Sequence, residues 1–269
     1  MARRSDTISP TAHYTGYTWV RAGLSDPAFA TREGRLLHGL VRPVMAVSGA
    51  LGGPVLDEFL LARHRMIDAL LTDAIERQEI TQVVEVASGL SARGLRFSRR
   101  YDGLAYVEAD LPDMAERKRR ILRAAGADAP GHRVTELDVL AEGGLDRLAC
   151  DLDPARGLVI VTEGLVNYFD ERTVRDTWAR FARVLGRFDR GRYLSDLHLT
   201  TSDRAVRAFV AALSVFVRGT VHLHFRDAAQ AEAALLEAGF ARASLRTPPE
   251  SALVRIVDAA PGQDTGPDK

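Results

Sequence analysis

The chain has 269 residues, 46% apolar and 27% charged, the balance of a soluble globular protein long enough to bury a core without staples. Basic and acidic residues are equal at 36 each, so no electrostatic footprint marks nucleic acid as a partner. The one cysteine, Cys150, leaves no pair for an internal disulfide and fits a reducing, cytoplasmic setting.

The opening MARRSDTISPTAHYTG has two arginines with no apolar run behind them. Residues 1–16 therefore read as a polar tail, not a secretory leader. No segment reaches the ~18 consecutive apolar residues of a membrane span, so no membrane partner is expected. From Leu36 to Ile75 the pattern is helical, split at GALGGP (Gly49 to Pro54). These helices precede the first strand and are expected to form a lid over the site.

From Gln82 onward, short β runs alternate with helical runs. QVVEVA, GLAYVEA, RVTELDV, GLVIVTE and RYLSDLHL read as strands. Between them, LSARGLRFSRR, PDMAERKRRILRAAG (with Pro112 in its first turn) and DERTVRDTWARFARVLG read as helices. Asp170 is a candidate N-cap of the last of these and Gly186 follows its end. RAVRAFVAALSVFV and DAAQAEAALLEAG are two further helical stretches. ARASLRTP and ALVRIVDA are strands joined by PPES, a hairpin signal. The alternation predicts an α/β, Rossmann-like, mostly parallel seven-stranded sheet with an antiparallel last strand and an N-terminal helical lid. The expected division is residues 1–75 as N-terminal segment and lid, 76–260 as core and 261–269 as tail.

Four motifs fall where strands end. In VVEVASGLSARG, Ala87, Ser88 and Gly89 let the backbone approach a ligand while the following helix offers free N–H groups. A plain tight connection explains the same residues, and without GxGxxG or GK[ST] neither a dinucleotide nor an NTP is well supported. In YVEADLP, Glu108 or Asp110 can chelate a ribose diol, while Asp110 can also cap the next helix. In TELDVL, Asp138 can bind an adenine amine with Val139 against the ring, or simply begin a turn. In VIVTEGLVNYF, Glu163 can bind an ammonium or serve as a helix N-terminal charge. Tyr168 suits an acceptor pocket or a core.

Together these residues resemble the leucine carboxyl methyltransferase family and, within it, the bacterial O-methyltransferases of polyketide biosynthesis of the tetracenomycin type. The likeness runs from about Leu60 to Glu171, through ARHRMID, EVASGLSARGLRF, VEADLPDMAERK and TEGLVNYF, with the opening SPTAHYTGYTWVRAGLS similar to the polyketide branch. It implies a class I methyltransferase core that uses S-adenosyl-L-methionine. It implies Arg63 on the methionine carboxylate, and Glu85, Ala87, Ser88 and Gly89 beside the methionine part. Asp110, with Glu108 beside it, would take the ribose, Asp138 and Val139 the adenine, and Glu163 the methionine amine. Ala87 stands where a first glycine is common and Ser91 where many relatives have Asp.

The acceptor is expected to be a small molecule bearing a carboxylate or a hydroxyl. A carboxylate needs only positioning, for which Tyr17 and Arg21 are candidates. A hydroxyl profits from a general base, usually histidine, and His198 follows the fifth strand on the same rim. His222 and His224 form an HLH pair without an evident third ligand, so no metal is expected. A noncatalytic binder of the same cofactor and an NAD-dependent oxidoreductase are the competing readings.

Overall fold

The computed structural model describes residues 10–50, 53, 55–204, 207 and 220–262. The helix expected over RAVRAFVAALSVFV lies, but for Arg204 and Arg207, outside the described residues, as do Leu51, Gly52 and Pro54 of the expected break.

Three helices precede the sheet, α1 (Pro10–Arg21), α2 (Arg32–Ala50) and α3 (Leu56–Gln78). The break between α2 and α3 falls at the Gly/Pro cluster, as expected. Helix α1 corrects the reading of residues 1–16 as a tail, because the chain is helical from Pro10 and buries Tyr14 and Trp19. Its small residues make the segment look loose in sequence, yet they are what lets it dock closely. A Cβ on Gly16 would stand 3.0 Å from the Leu90 side chain, and one on Gly89 would meet Ala12 at 3.9 Å.

Seven strands follow: β1 (Gln82–Val86), β2 (Ala105–Asp110), β3 (His132–Glu136), β4 (Leu158–Thr162), β5 (Gly191–Leu197), β6 (Phe240–Arg246) and β7 (Arg255–Pro261). Their order is β3-β2-β1-β4-β5-β7-β6. The first five run parallel, and β7 lies antiparallel between β5 and β6. The expected antiparallel last strand is present, one place in from the edge. Pairing of β3 stops at Glu136, so Leu137 to Val139, expected in the strand, belong to the turn after it.

The connecting helices are α4 (Arg93–Arg100), α5 (Pro112–Ala125), α6 (Gly144–Ala149), α7 (Glu171–Leu185) and α8 (Ala228–Glu237). Asp170 caps α7, its carboxylate accepting from the Thr173 N–H at 2.8 Å, and Gly186 closes the helix. Alternate strand residues build two cores, as the period of two requires. Val84, Ile160, Tyr193 and Val257 pack with Trp178 and Phe181 of α7. Val83, Val161, Leu194 and Ile256 pack with Ile67, Leu71 and Ala74 of α3.

After β3 the chain returns to place β4 beside β1. That reversal is a topological switch point, and the crevice outside the carboxyl ends of β1 and β4 is where open α/β sheets bind ligands. Helix α4 is pressed onto the sheet at this point, since a Cβ on Gly94 would lie 2.7 Å from Oε1 of Glu108. Alanine gains about 1 kcal/mol of helix propensity over glycine, but overpacking costs typically ~1–3 kcal/mol. Gly94→Ala is therefore expected to lower stability in urea denaturation; a more stable variant would show that the helix can back away freely.

Candidate active site

The loop from β1 into α4 turns on two left-handed residues, Ala87 (φ 55°) and Gly89 (φ 52°). For alanine this conformation costs on the order of 1 kcal/mol, so its surroundings must impose it. They do so by fastening the loop to β2. The Gly89 N–H donates to Oδ2 of Asp110 at 2.7 Å, and the Leu111 N–H donates to Oδ1 at 2.8 Å. Lys118 of α5, fully buried, donates to Ser88 Oγ at 3.1 Å and pairs with Glu108 at 2.9 Å. His132 meets the same Glu108 oxygen at 2.9 Å, and the Gly94 N–H donates to the other oxygen.

On the other side of β1 stands a buried ionic network. Arg93, at the start of α4, donates from Nε to Asp68, from Nη1 to Glu85 and from Nη2 to Glu163, each at 2.6 Å. Tyr106 donates to the second Glu85 oxygen at 2.8 Å, and Arg96 pairs with Asp68 at 2.6 Å. Arg63 of α3 donates from Nε to Glu163 and from Nη1 to Asp196, both at 3.0 Å. Nδ1 of His64 lies 2.8 Å from Glu163. The Gly164 N–H donates to Asp196 at 2.7 Å. Burial pushes the Glu163 pKa up, but His64, Arg93 and Arg63 outweigh it and hold the carboxyl below its ordinary range. Asp68 behaves likewise, with burial opposed by His64, Arg93 and Arg96.

Between this network and α1 opens a cleft of about 920 Å³, counting its mouth. Of the residues marked out in sequence, Arg63, Ala87, Ser88, Gly89, Glu163, Tyr168 and His198 line it. Asp110 holds the Gly89 N–H from beside the loop. Glu85 and Glu108 are internal, their oxygens engaged by Arg93 and Tyr106 and by Lys118, His132 and Gly94. Asp138 accepts the Leu140 N–H in the exposed turn after β3, with Val139 buried next to it. Tyr17 and Arg21 do not reach the cleft. Helical periodicity puts them roughly half a turn from Thr15 and Trp19, which do line it. Tyr17 meets the edge of His38, and Arg21 approaches His38 at 3.1 Å. Arg63 pairs with none of its own helix's acids; its partners lie 100 and 133 residues away in sequence.

Sequence reading missed Arg93, Asp196, Thr15 and Trp19. Arg93 carried a signal, since a cation in the first turn of a helix opposes the dipole and calls for a local reason. Asp196 within the apolar run YLSDL carried another.

Removing Arg93 would leave three carboxylates short of their cation. Arg93→Met is expected to lose about 3–5 kcal/mol at neutral pH. Because Glu163 and Asp68 titrate below their unfolded values, the stability they confer is present above the ordinary carboxylate range and is lost as pH falls through and below about 4. The gap between wild type and Arg93→Met in urea denaturation should therefore be widest above pH ~5 and narrow as the pH falls below ~4; a gap independent of pH would contradict the assignment.

The model of the leucine carboxyl methyltransferase family matches residues 41–182, more than half of the chain. A protein of Mycolicibacterium gilvum assigned to the S-adenosyl-L-methionine-dependent methyltransferases is 34% identical over 110 residues, 40% of this chain and 35% of that relative. The match thus spans about a third of the relative's length. Among solved structures, a DUF574 family protein from Streptomyces avermitilis aligns with a TM-score of 0.67 at 13% identity, covering 96% of this chain and 100% of the other. A protein of Nostoc punctiforme assigned as an O-methyltransferase aligns with a TM-score of 0.53 at 14% identity, covering 91% and 72%. These two likenesses are of fold. The family match, standing on the α2-to-α7 region that supplies most of the cleft's lining, is decisive: the chain belongs to the leucine carboxyl methyltransferase family of S-adenosylmethionine-dependent methyltransferases.

Proposed function

We propose that the protein is an S-adenosylmethionine-dependent O-methyltransferase of a small-molecule acceptor, working in the cytoplasm in polyketide or related secondary metabolism. In this reading α1 and α2, within residues 1–75, are the lid over the core at 76–260, α3 joins that core because it packs on the sheet, and 261–269 are a tail. One observation carries the fit of the cofactor. Thr15 Oγ1 and Trp19 Nε1, buried on the inner face of α1, have no hydrogen-bond partner among the described residues, and both residues line the cleft. Buried donors are rarely left unmade without a reason, and a bound molecule with acceptor oxygens supplies one.

The cofactor brings a methyl group on a positively charged sulfur. The chain's own residues hold and orient it. Arg63 and the α1 donors suit a carboxylate, and Glu163 an ammonium. Ser88 and Gly89 allow close approach of the backbone. Each Asp110 oxygen accepts one backbone N–H and keeps a further lone pair for a ribose hydroxyl. Burial pushes the Asp110 pKa up against those two N–H bonds, so added donors would favour its charged form. Asp138 and Val139 are the adenine candidates. Helix α1 closes the crevice from above, which excludes water and holds the acceptor in line, a positioning effect worth up to ~7–11 kcal/mol.

Calorimetry should show S-adenosylhomocysteine binding far more tightly than NAD. Asp110→Ala should weaken it by on the order of 1.5–3 kcal/mol, the worth of charge-assisted hydrogen bonds, with the fold intact. Tight NAD binding without S-adenosylhomocysteine binding would falsify the reading, and an unaffected Asp110 variant would move the ribose contact elsewhere.

A further inference from the structure

A chain of hydrogen bonds with fixed directions runs from the edge strand of the sheet to the cleft, through His132 on β3, Glu108 on β2, Lys118 on α5 and Ser88 in the loop after β1. Burial raises the Glu108 pKa, but Lys118 and His132 outweigh it and hold the carboxyl below its ordinary range. The carboxylate is therefore ionised and can only accept. His132 Nε2 donates to it at 2.9 Å, and Lys118 Nζ reaches the same oxygen at 2.9 Å. The Gly94 N–H donates to the other oxygen at 3.2 Å. Glu108 is thus pinned from β3, α5 and α4, and it pins the ammonium in turn.

On its other side Lys118 Nζ lies 3.1 Å from Ser88 Oγ. An ammonium carries three donors and no acceptor, so the Ser88 oxygen accepts this bond and its own hydrogen is left for a second partner. Ser88 lines the cleft with Gly89 and Arg63. Its backbone is held as well, the N–H donating to the Ala109 carbonyl at 3.4 Å and the carbonyl accepting from the Ser91 N–H at 3.0 Å. A hydroxyl that accepts from a cation is polarised and donates more strongly. Residue choice agrees, since Lys118 and Lys269 are the only lysines in a chain that otherwise takes arginine for its cations. A compact point charge suits a buried place between one carboxylate oxygen and one hydroxyl, where a planar fork does not.

Resting on the cofactor reading above, we infer that Lys118 is a positioning residue for the cofactor: acting through Ser88, it makes that hydroxyl an obligate donor to the cleft, directed at the carboxylate of the cofactor's amino-acid end. The ammonium and sulfonium of the cofactor accept nothing, and its ribose hydroxyls are the donors that Asp110 takes, so the carboxylate is the acceptor that remains beside the loop. Ser88 joins Arg63, Thr15 and Trp19 there. Glu108 neutralises Lys118, so the pair contributes direction and polarisation, not long-range attraction of an anion.

Calorimetry with two probes tests this, S-adenosylhomocysteine with the carboxylate and methylthioadenosine without the amino-acid end. Ser88→Ala should weaken S-adenosylhomocysteine binding about tenfold and methylthioadenosine binding less than about twofold. Lys118→Met combined with Glu108→Gln removes both charges together and leaves no unpaired buried carboxylate. This pair should weaken S-adenosylhomocysteine binding about fivefold, and add nothing once Ser88 is replaced by alanine, because a residue that acts through another is not additive with it. A merely structural role would weaken both probes alike and add to the loss from Ser88→Ala. Equal losses, additive losses or an unaffected Ser88→Ala variant each overturn the inference. A crystal structure of the wild type with S-adenosylhomocysteine decides it even if the doubly substituted chain fails to fold. Ser88 Oγ should bridge Lys118 Nζ and a ligand carboxylate oxygen, and a hydroxyl turned to the ribose or parted from Lys118 overturns the inference. Failure of the wild type to bind either probe overturns the cofactor reading itself.

Discussion

A guanidinium removed from water must be met on every side, and Arg93 is met by Asp68 from α3, Glu85 from β1 and Glu163 beyond β4. Three elements are thereby tied to the first residue of α4, directly behind the loop that leaves β1. Arginine suits this place because its rigid fork presents five donors at fixed angles. Buried ion pairs add little net stability compared with an apolar core, but breaking one is costly. The network therefore acts as a register, and only one arrangement of these helices and strands satisfies all of its partners.

Arg63 extends the register into the cleft. It shares Glu163 with Arg93 and reaches Asp196 on β5, so the cleft's charged wall belongs to the same ionic lattice that fixes the fold. Network and cleft meet at Glu163, which pairs with Arg93 on one side and lines the cleft on the other. Across the opening, α1 is held by a second polar cluster on its outer face. Tyr14 and Thr18 donate to Asp57 of α3 at 2.7 and 3.2 Å, and His38 of α2 meets the same carboxylate at 3.0 Å. The helix therefore has one face bound to its neighbours and another, with Thr15 and Trp19, turned to the space below.

Much of this was legible in the sequence. Apolar runs of five or six residues ending in small or acidic residues marked the strands. The hairpin signal PPES gave the antiparallel ending, and Asp170 gave the α7 cap. The glycine-poor ASG loop and the EG pair after β4 located the crevice, because strand ends in a parallel sheet share one rim. Side-chain direction was harder to read. Glu85 and Glu108 are aligned across β1 and β2, and each looks like a ligand group in sequence. Their oxygens are instead taken by Arg93 and Tyr106 and by Lys118, His132 and Gly94, partners 8 to 24 residues away. Tyr17 and Arg21 looked equivalent to Thr15 and Trp19 until helical phase separated them. Helix α1 itself was hidden because its threonines, tyrosines and glycine are weak helix formers, while here Ala12 and Gly16 fit against Gly89 and Leu90.

The central claim is that one ionic lattice both locks the fold and shapes the wall of the cleft proposed for the cofactor. A crystal structure with S-adenosylhomocysteine bound tests it most directly. The account predicts the ligand in the crevice between α1 and the β1 loop, its ribose hydroxyls on Asp110 and its amino-acid end against Arg63, Thr15 and Trp19, with the contacts of Arg93 to Asp68, Glu85 and Glu163 unchanged. A ligand seated elsewhere, or one whose binding pulls Arg93 away from Glu163, would contradict it.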